Sequence, residues 1–397
     1  MPSLDEELKQ RLADLREQNL FRELRRVDSA QGPRIEIGGK TFLNFSSNDY
    51  LGLANHPTLK EAAIHAVEKF GVGAGSSRLI CGSLAPFHEL EESLAAFKKT
   101  EAALTFSTGY AAALGTITAL VGKDDILILD KLVHASIVDA AKLSGAKLRI
   151  FDHNDLNDLE EKLKWADKSA KAESGKRKAE TLVVTESIFS MDGDAAPLRE
   201  IVALKEKYGA WLMVDEAHAT GIIGENGRGL ADELGVSGQI EIQMGTLGKA
   251  LGASGGYICG RRTLIDFLIN RARSFIFSTA PVPAAAAAAT AGIQMAQSID
   301  GETRRKTLFT HITELNSKLK IKNSKLQSAI IPLIIGDETK AIAAATKLRE
   351  QNIFVPAIRF PTVARGAARL RVTLTAAHSE ADISELAAAL AQLKIQN

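Results

Sequence analysis

Residues 211–218 read Trp-Leu-Met-Val-Asp-Glu-Ala-His. Four apolar residues in succession, followed at once by two acids and a histidine, are typical of a buried strand that ends at the edge of a covered sheet. In open α/β sheets, ligands bind outside the carboxyl ends of the strands. We therefore expect Asp215 and His218 to lie where a cofactor would bind. Taken alone, the strand-end acid suits a magnesium site, a pyridoxal 5′-phosphate (PLP) site or a structural role.

Short β-rich runs alternate with helical windows on both sides of this strand. They lie at 103–106, 126–129, 147–151, 182–185, 242–244 and 256–259. Strands that alternate with helices predict a mainly parallel sheet covered on both faces. The predicted fold class is therefore α/β, with this sheet at the centre of a large domain.

The chain, at 397 residues, is long enough for a large domain and a smaller one. Residues 4–26 carry leucines at helical spacing among charges, which predicts an amphipathic arm that docks on another surface. The amino-acid composition changes at Pro281-Val282-Pro283, after which an alanine-rich run predicts the start of a helix. We predict an N-terminal helical arm with its connecting hairpin at 1–45, a large domain at 46–283 and a small α/β domain at 284–397. Strands of the small domain are predicted at 330–335 and 370–374.

Composition excludes several classes of function. Forty-nine basic residues nearly balance 48 acidic ones. The net charge of the chain therefore gives no overall electrostatic attraction to nucleic acid or to an anionic membrane. The two cysteines, Cys81 and Cys259, lie far apart and indicate neither a disulfide framework nor a metal site. No apolar run approaches the roughly 20 residues that span a bilayer, and no signal-peptide core is evident. We expect a cytoplasmic protein with no bound metal and no nucleic-acid or membrane partner.

A lysine provides the second chemical signal. Residues 244–252 read Met-Gly-Thr-Leu-Gly-Lys-Ala-Leu-Gly, which places Lys249 in a turn of small residues directly after a strand. A lone lysine beside glycine is most often a surface residue. One helix and one strand separate Lys249 from Asp215, so we expect both at the same sheet edge. A Schiff-base lysine needs a pocket that permits its neutral form, and a carboxylate opposite keeps the pyridinium protonated. Together the two residues favour PLP.

Two further features fit the same cofactor. Ser107-Thr108-Gly109-Tyr110 joins a strand to a helix, where backbone N–H groups can bind a phosphate, although an ordinary N-cap explains these residues equally well. His134 follows the strand at 126–129 and suits either stacking on a pyridine ring or a structural role in a loop. A nucleotide-dependent ATPase is a weak alternative, because no Gly-x-x-x-x-Gly-Lys-[Ser/Thr] loop occurs.

Four blocks in this order resemble a known family. They are Phe-Ser-Ser-Asn-Asp-Tyr-Leu-Gly at 45–52, Asp-Glu-Ala-His at 215–218, Gly-Thr-Leu-Gly-Lys-Ala at 245–250 and Phe-Ser-Thr-Ala-Pro at 277–281. In combination they resemble the α-oxoamine synthases, which are PLP-dependent transferases of fold type I, and the resemblance runs from about Arg22 to His378.

The family contains several branches with different substrates. Residues 277–283 and 355–378 are most similar to the branch of acyltransferases that condenses L-alanine with a pimeloyl thioester in biotin biosynthesis. Residues 252–257 and Gly248 resemble the aminoketobutyrate-CoA ligase branch, which acylates glycine, at least as well. That branch and a soluble serine palmitoyltransferase therefore stay open as alternatives. A non-catalytic PLP-fold binding protein is a different class, against which the intact Lys249, Asp215, His134 and His218 argue.

The resemblance implies a role for each cofactor-site residue. Lys249, His134, Asp215 and His218 would be the catalytic residues. Lys249 would bind PLP covalently, Asp215 would face the ring nitrogen, His134 would stack on the ring, and His218 and Ser190 would contact its phenolic side. Gly109, Tyr110 and Thr246 would hold the phosphate. Ser278 and Thr279 would reach the phosphate of a partner subunit, which implies an obligatory homodimer with a composite site.

The resemblance also implies the substrate contacts, from His134, Arg22, Asn48, Thr362 and Arg371. Arg371 would bind the amino-acid carboxylate, because a guanidinium matches a carboxylate in bidentate fashion. Arg22 and Thr362 would contact the acyl substrate, with Asn48 at the mouth of the site. Lys249 would remove the α-proton of alanine, and the thiol carrier and carbon dioxide would leave as an amino ketone forms. Coenzyme A and acyl carrier protein both remain possible carriers.

Overall fold

The structure is a computed structural model that describes residues 3–172, 179–319 and 328–393. Its chain divides into two compact units. The larger unit comprises Asp49–Ser190 and Asp194–Lys306, and the smaller comprises Met1–Asn48, Met191–Gly193 and Thr307–Asn397. The predicted domains, with boundaries after residues 45 and 283, are parts of the chain that would fold independently. The division into two compact units does not test them, so they stay a prediction.

The helices and strands are numbered in chain order. The helices of the described residues are α1 (Leu4–Glu17), α2 (Pro57–Phe70), α3 (Ala85–Lys98), α4 (Gly109–Leu120), α5 (Ala135–Ser144), α6 (Leu156–Ala172), α7 (Leu198–Tyr208), α8 (Leu230–Glu233), α9 (Arg262–Arg271), α10 (Arg273–Ile276), α11 (Pro283–Gln297), α12 (Ile299–Leu319), α13 (Glu338–Glu350) and α14 (Glu380–Gln392). The strands are β1 (Arg34–Ile37), β2 (Lys40–Asn44), β3 (Ala102–Phe106), β4 (Ile126–Asp130), β5 (Lys147–Phe151), β6 (Thr181–Glu186), β7 (Trp211–Asp215), β8 (Ile242–Thr246), β9 (Gly256–Gly260), β10 (Ile330–Gly336), β11 (Ile353–Phe354), β12 (Ala357–Ile358) and β13 (Ala368–Thr373).

The larger unit is built on a seven-stranded sheet with the order β3-β9-β8-β7-β6-β4-β5. Strands β5, β4, β6, β7 and β8 run parallel, whereas β9 pairs antiparallel with both β8 and β3. The predicted mainly parallel α/β sheet is therefore confirmed. Because β6, β7 and β8 end side by side, the residues at and after their carboxyl ends meet at one edge of the sheet.

Helices cover both faces of this sheet. Along β4, Leu127 and Leu129 pack in the apolar layer that includes α4 and α5. Ile126 and Ile128 point to the opposite face and pack in the layer that includes α6 and α7. Burial on both sides explains why these strands are continuous apolar runs rather than alternating ones. Each buried side chain of this size contributes about 1.5–3 kcal/mol to folding, so the sheet is a rigid support for the residues at its edge.

The smaller unit contains two three-stranded sheets. Strands β1 and β2 form a hairpin, and β11 pairs parallel with β2. Gly38 and Gly39 form the turn that joins the hairpin, and their positive φ angles of 57° and 73° are disfavoured for residues with a side chain. In the second sheet, β13 lies between β10 and β12 and pairs antiparallel with both. This sheet carries Arg371.

The N-terminal arm differs from its prediction. Ser3 caps α1 in a capping box, but the helix ends at Glu17 rather than near residue 26. Asn19 adopts a left-handed backbone conformation with φ of 55°, and the N–H groups of Leu20 and Phe21 both donate to Leu15 O. These bonds end the helix, and no residue of α1 is buried. No helix of the described residues has the length and hydropathy needed to cross a bilayer.

Candidate cofactor and substrate sites

Asp215 is the last residue of β7 and is buried. Its Oδ1 accepts a hydrogen bond of 2.9 Å from the N–H of Ala217. Burial raises the pKa of Asp215, whereas the nearby Lys249 ammonium and the Ala217 N–H lower it. The carboxylate therefore lies in a low-dielectric position where a cationic N–H would be its best partner.

Lys249, His218 and Tyr50 form a continuous chain of hydrogen bonds. Lys249 Nζ lies 2.8 Å from His218 Nε2, and His218 Nδ1 lies 2.6 Å from Tyr50 Oη. The His218 ring therefore bridges the Tyr50 hydroxyl and the Lys249 amine, and it is placed to exchange a proton with either group. The chain thus fixes the position of the Lys249 amine at the edge of the sheet.

His134 caps α5, with Nδ1 accepting a 3.2 Å hydrogen bond from the N–H of Ser136. His134 is exposed to solvent, although protein atoms partly enclose its ring. Burial lowers the pKa of His134, and the positive charge of Lys249 lowers it further, while Asp215 acts in the opposite direction. His134 is thus held as a neutral, solvent-accessible ring within electrostatic reach of Asp215 and Lys249, which suits stacking on an aromatic ligand.

Glu186 is a buried acid that the sequence interpretation did not single out. It ends β6 directly beside Asp215 in the strand register. Its Oε2 accepts a 3.2 Å hydrogen bond from the N–H of Ser190, and its Oε1 is buried without a hydrogen bond. Burial raises the pKa of Glu186 well above its usual value, and the charge of Asp215 adds to the effect. We assign the proton of this carboxyl pair to Glu186.

The predicted phosphate residues lie at the start of α4. Thr108 is the N-cap, and its hydroxyl accepts a 3.0 Å bond from the N–H of Ala111. The N–H groups of Gly109 and Tyr110, the first two of the helix, are left without an intrahelical acceptor. A Cβ added to Gly109 would lie 3.7 Å from the Cβ of Thr246, so Thr246 adjoins this helix end. The Tyr110 hydroxyl donates to Asp139 at 2.8 Å.

Ser278 and Thr279 lie apart from these residues in the loop after α10. Thr279 forms an isolated antiparallel bridge with Ser77, and the Ser278 hydroxyl donates to Thr279 O at 3.0 Å. Neighbouring Phe277 is 71% exposed. Both hydroxyl residues therefore lie beside an exposed aromatic side chain of the larger unit, and their role across a subunit boundary stays a prediction.

The smaller unit brings the predicted substrate residues together in two pairs. Arg371 Nη1 donates to Asn48 Oδ1 at 3.1 Å and to Thr373 Oγ1 at 2.9 Å. Arg22 Nη2 donates to Thr362 Oγ1 at 3.3 Å. Arg371 is buried, and the side-chain oxygens of Asn48 and Thr373 help to fix its guanidinium. A guanidinium held in this way can bind a carboxylate in bidentate fashion.

The residues of the larger unit fit PLP. Asp215 offers a buried carboxylate for a protonated ring nitrogen, Lys249 an amine for the aldehyde, and His134 an imidazole face for the ring. The start of α4 offers two N–H donors for the phosphate. Among the residues that the structure describes, no group of histidine, cysteine and acidic side chains could hold a metal ion.

Residues 40–390 match the family described as aminotransferase class I and II. The chain belongs to this family. Membership confirms the predicted fold class, that of PLP-dependent transferases, and the predicted cofactor.

Relatives within the family carry a more specific name. The chain is 46% identical over 379 residues to 8-amino-7-oxononanoate synthase of Thermoanaerobacter pseudethanolicus, covering 95% of this chain and 93% of the relative. It is 46% identical over 385 residues to the synthase of the same name from Geobacter sulfurreducens, covering 96% of each. The resemblance to the α-oxoamine synthases is thereby confirmed.

Solved structures lead to the same family. Serine palmitoyltransferase from S. paucimobilis with bound PLP superposes with a TM-score of 0.89 at 30% identity, covering 98% of each chain. The 8-amino-7-oxononanoate synthase from Francisella tularensis superposes with a TM-score of 0.73 at 29% identity, covering 89% of this chain and 96% of that one.

Proposed function

We propose that this protein condenses L-alanine with a pimeloyl thioester to give 8-amino-7-oxononanoate, carbon dioxide and the free thiol carrier, in biotin biosynthesis. The observation that carries the proposal is the hydrogen bond of 2.8 Å between Lys249 and His218 beside the buried Asp215. It provides an amine positioned to exchange a proton next to a carboxylate positioned for a pyridinium. The shared name of relatives that are 46% identical supports the choice of substrates.

Bound PLP supplies an electron sink that allows a carbanion to form next to an amino group. Asp215 is the counter-charge for the ring nitrogen, and Glu186 keeps its proton so that the two neighbouring carboxyls bear a single negative charge. Lys249 is the general base that takes the α-proton of the amino acid. His218, which is held by its hydrogen bond to Tyr50, keeps the lysine amine in position for this proton transfer.

Arg371 binds the carboxylate of the amino acid, and Asn48 and Thr373 hold its guanidinium in position before substrate arrives. Preorganised donors cost little reorganisation when the ligand binds. Arg22 and Thr362 contact the acyl substrate, and Ser190 contacts the cofactor together with His218. Gly109, Tyr110 and Thr246 hold its phosphate. These roles follow the predictions from the sequence, and each is a proposal for mutagenesis to test.

The protein acts as a homodimer in the cytoplasm, and Ser278 and Thr279 of one subunit reach the cofactor phosphate of the other. Exposed apolar side chains support a subunit interface at this loop. Phe277 directly precedes Ser278 and is 71% exposed, and Ile80, which is 79% exposed, donates its N–H to the carbonyl of Ser77, the bridge partner of Thr279. Large apolar patches on a protein surface mark contact sites. The molar mass in solution, measured by light scattering, would be twice that of the chain. A monomer that retains full activity would refute the composite site.

Thiol release distinguishes the proposed substrates from other pairs used by α-oxoamine synthases. Purified enzyme with PLP is assayed with L-alanine, glycine or L-serine, each combined with pimeloyl-CoA, acetyl-CoA or palmitoyl-CoA. We expect rapid thiol release with L-alanine and pimeloyl-CoA alone. Faster release with glycine and acetyl-CoA, or with L-serine and palmitoyl-CoA, would assign the protein to another branch.

A further inference from the structure

The smaller unit contains a cavity of about 330 Å³ whose lining is rich in arginine. It is bounded by the last turn of α1 and the arm segment that follows it, by α13, and by residues 354–359, which run from β11 through β12. Its four arginines, called here the arginine pocket, are Arg16, Arg25, Arg349 and Arg359. The rest of the lining contains no acidic residue.

The charge of this pocket is largely uncompensated. None of the four arginines forms an ion pair with an acidic side chain of the described residues. Burial lowers the pKa of Arg359, and the nearby Arg22 and Arg25 lower it further, with only Glu338 acting against them. Several guanidinium groups this close together repel one another in a partly dry site. A multiply charged anion would remove that repulsion.

Contacts with neighbouring groups hold the arginines in place. The Arg16 guanidinium lies 4.0 Å from the centre of the Phe21 ring, and that of Arg25 lies 5.9 Å from the Phe354 ring. Arg359 donates to the carbonyl oxygens of Asn19 and Phe21. Stacking on a ring uses the face of a guanidinium and leaves its N–H edge available to an anion. The pocket is thus preorganised for oxygen-rich anions.

We propose that the arginine pocket binds the phosphate groups of coenzyme A, the thiol carrier of the acyl substrate. This inference rests on the proposed function. The pocket lies next to the predicted acyl contacts, because Arg22 belongs to the same arm segment and Thr362 follows Arg359 by three positions. Arginine edges match phosphate oxygens in pairs, and a concave site of this size accepts phosphate groups rather than the surface of a folded carrier protein.

Equilibrium binding tests the proposal without requiring turnover. Calorimetry with coenzyme A, pantetheine and inorganic phosphate compares the PLP-loaded wild type with the Arg25→Gln/Arg349→Gln double variant. We expect about ten-fold or greater loss of affinity for coenzyme A, because each charge-assisted bond contributes about 1.5–3 kcal/mol. Pantetheine, which lacks the nucleotide phosphates, should bind both proteins equally. Arg359 is left intact because it anchors the arm.

Arg365→Gln is the matched control, since the Arg365 guanidinium also lies over a phenylalanine ring, Phe360 at 4.4 Å, but outside the pocket. It should bind coenzyme A like the wild type, and thermal unfolding verifies that the double variant is folded. Unchanged affinity of the double variant would overturn the proposal. So would equal affinity of the wild type for inorganic phosphate and coenzyme A, or a defect confined to pimeloyl-acyl carrier protein as donor. If the double variant loses affinity for coenzyme A but the wild type makes no amino ketone, the proposed function is refuted, whereas the assignment of the pocket to coenzyme A still holds.

Discussion

Glu186 and Asp215 lie opposite each other at the ends of neighbouring parallel strands, and both carboxyl groups are buried. Two neighbouring buried acids cannot both ionise at neutral pH without a large electrostatic cost. The pair therefore carries one proton, and the structure favours Glu186 as its carrier because Oε1 has no donor to stabilise a negative charge. Asp215 remains available as the counter-ion of a protonated ring.

Glu186→Gln should preserve PLP binding, because glutamine reproduces a protonated carboxyl in size and neutrality. Since folding raises the pKa of Glu186, the wild type loses stability as pH rises from the unfolded-state pKa towards the folded one. The variant lacks this loss, so its unfolding midpoint should exceed that of the wild type increasingly between about pH 5 and 8. Thermal unfolding of the two apoproteins at several pH values measures this difference in midpoint. The exposed Glu89→Gln serves as control, and parallel pH profiles for wild type and Glu186→Gln would show that Glu186 is ionised.

Lys249→Ala should abolish turnover and the covalent attachment of PLP. Borohydride reduction followed by intact-mass measurement should detect one PLP adduct on the wild type and none on the variant. The control is Lys131→Ala, since Lys131 is an exposed lysine paired with Asp152 at 2.9 Å and should leave the adduct unchanged. An adduct of equal yield on the Lys249 variant would assign the cofactor lysine elsewhere.

Arg371→Ala should raise the KM for L-alanine by about 10–100-fold, as expected for the loss of a charge-assisted bidentate contact. Affinity for PLP should change little, because Arg371 bonds to Asn48 and Thr373 of the smaller unit. Asn48→Ala should shift KM in the same direction by a smaller factor. Steady-state kinetics and PLP titration separate the two effects, and an equal loss of both affinities would indicate misfolding instead of a substrate contact.

The pH dependence of the stability that His153 contributes tests how the loop after Ser190 is held, because that loop carries Asp194. Its ring contacts Asp130 at 3.0 Å and Asp194 at 2.8 Å. Although burial opposes the charge, these bonds raise the pKa of His153 to about 10. The resulting stabilisation is complete below the unfolded pKa of about 6.5 and is lost as pH rises towards 10. The stability advantage of wild type over His153→Gln should shrink across this window in denaturant titrations. A constant difference would show that the two aspartates do not hold a charged ring.

Much of the larger unit could be predicted because its strands are buried on both faces. Trp211–Asp215, for example, is a continuous apolar run that ends in acids, and the observed strand has the predicted bounds to within one residue. The same logic predicts Lys249 and Asp215 at one edge of the sheet, since parallel strands end side by side, but it does not predict the hydrogen bond from Lys249 to His218.

Features set by tertiary contacts could not be predicted in this way. Glu186 ends a predicted strand, yet its significance depends on pairing with Asp215, far away in sequence. The arm residues 18–26 contain good helix formers, but their backbone is determined by the left-handed Asn19 and by bonds from Arg359. Likewise, the arginine pocket combines residues from segments more than 300 positions apart. No local pattern signals such a combination.

The most direct test of the proposed reaction follows the atoms of alanine. L-Alanine labelled with heavy nitrogen in its amine and heavy carbon in its carboxyl group is incubated with pimeloyl-CoA, PLP and the enzyme, and the product is analysed by mass spectrometry. We predict 8-amino-7-oxononanoate that retains the heavy nitrogen and has lost the heavy carbon as carbon dioxide. A product that keeps the labelled carboxyl carbon, or no product while thiol is released from another acyl donor, would contradict the proposed function.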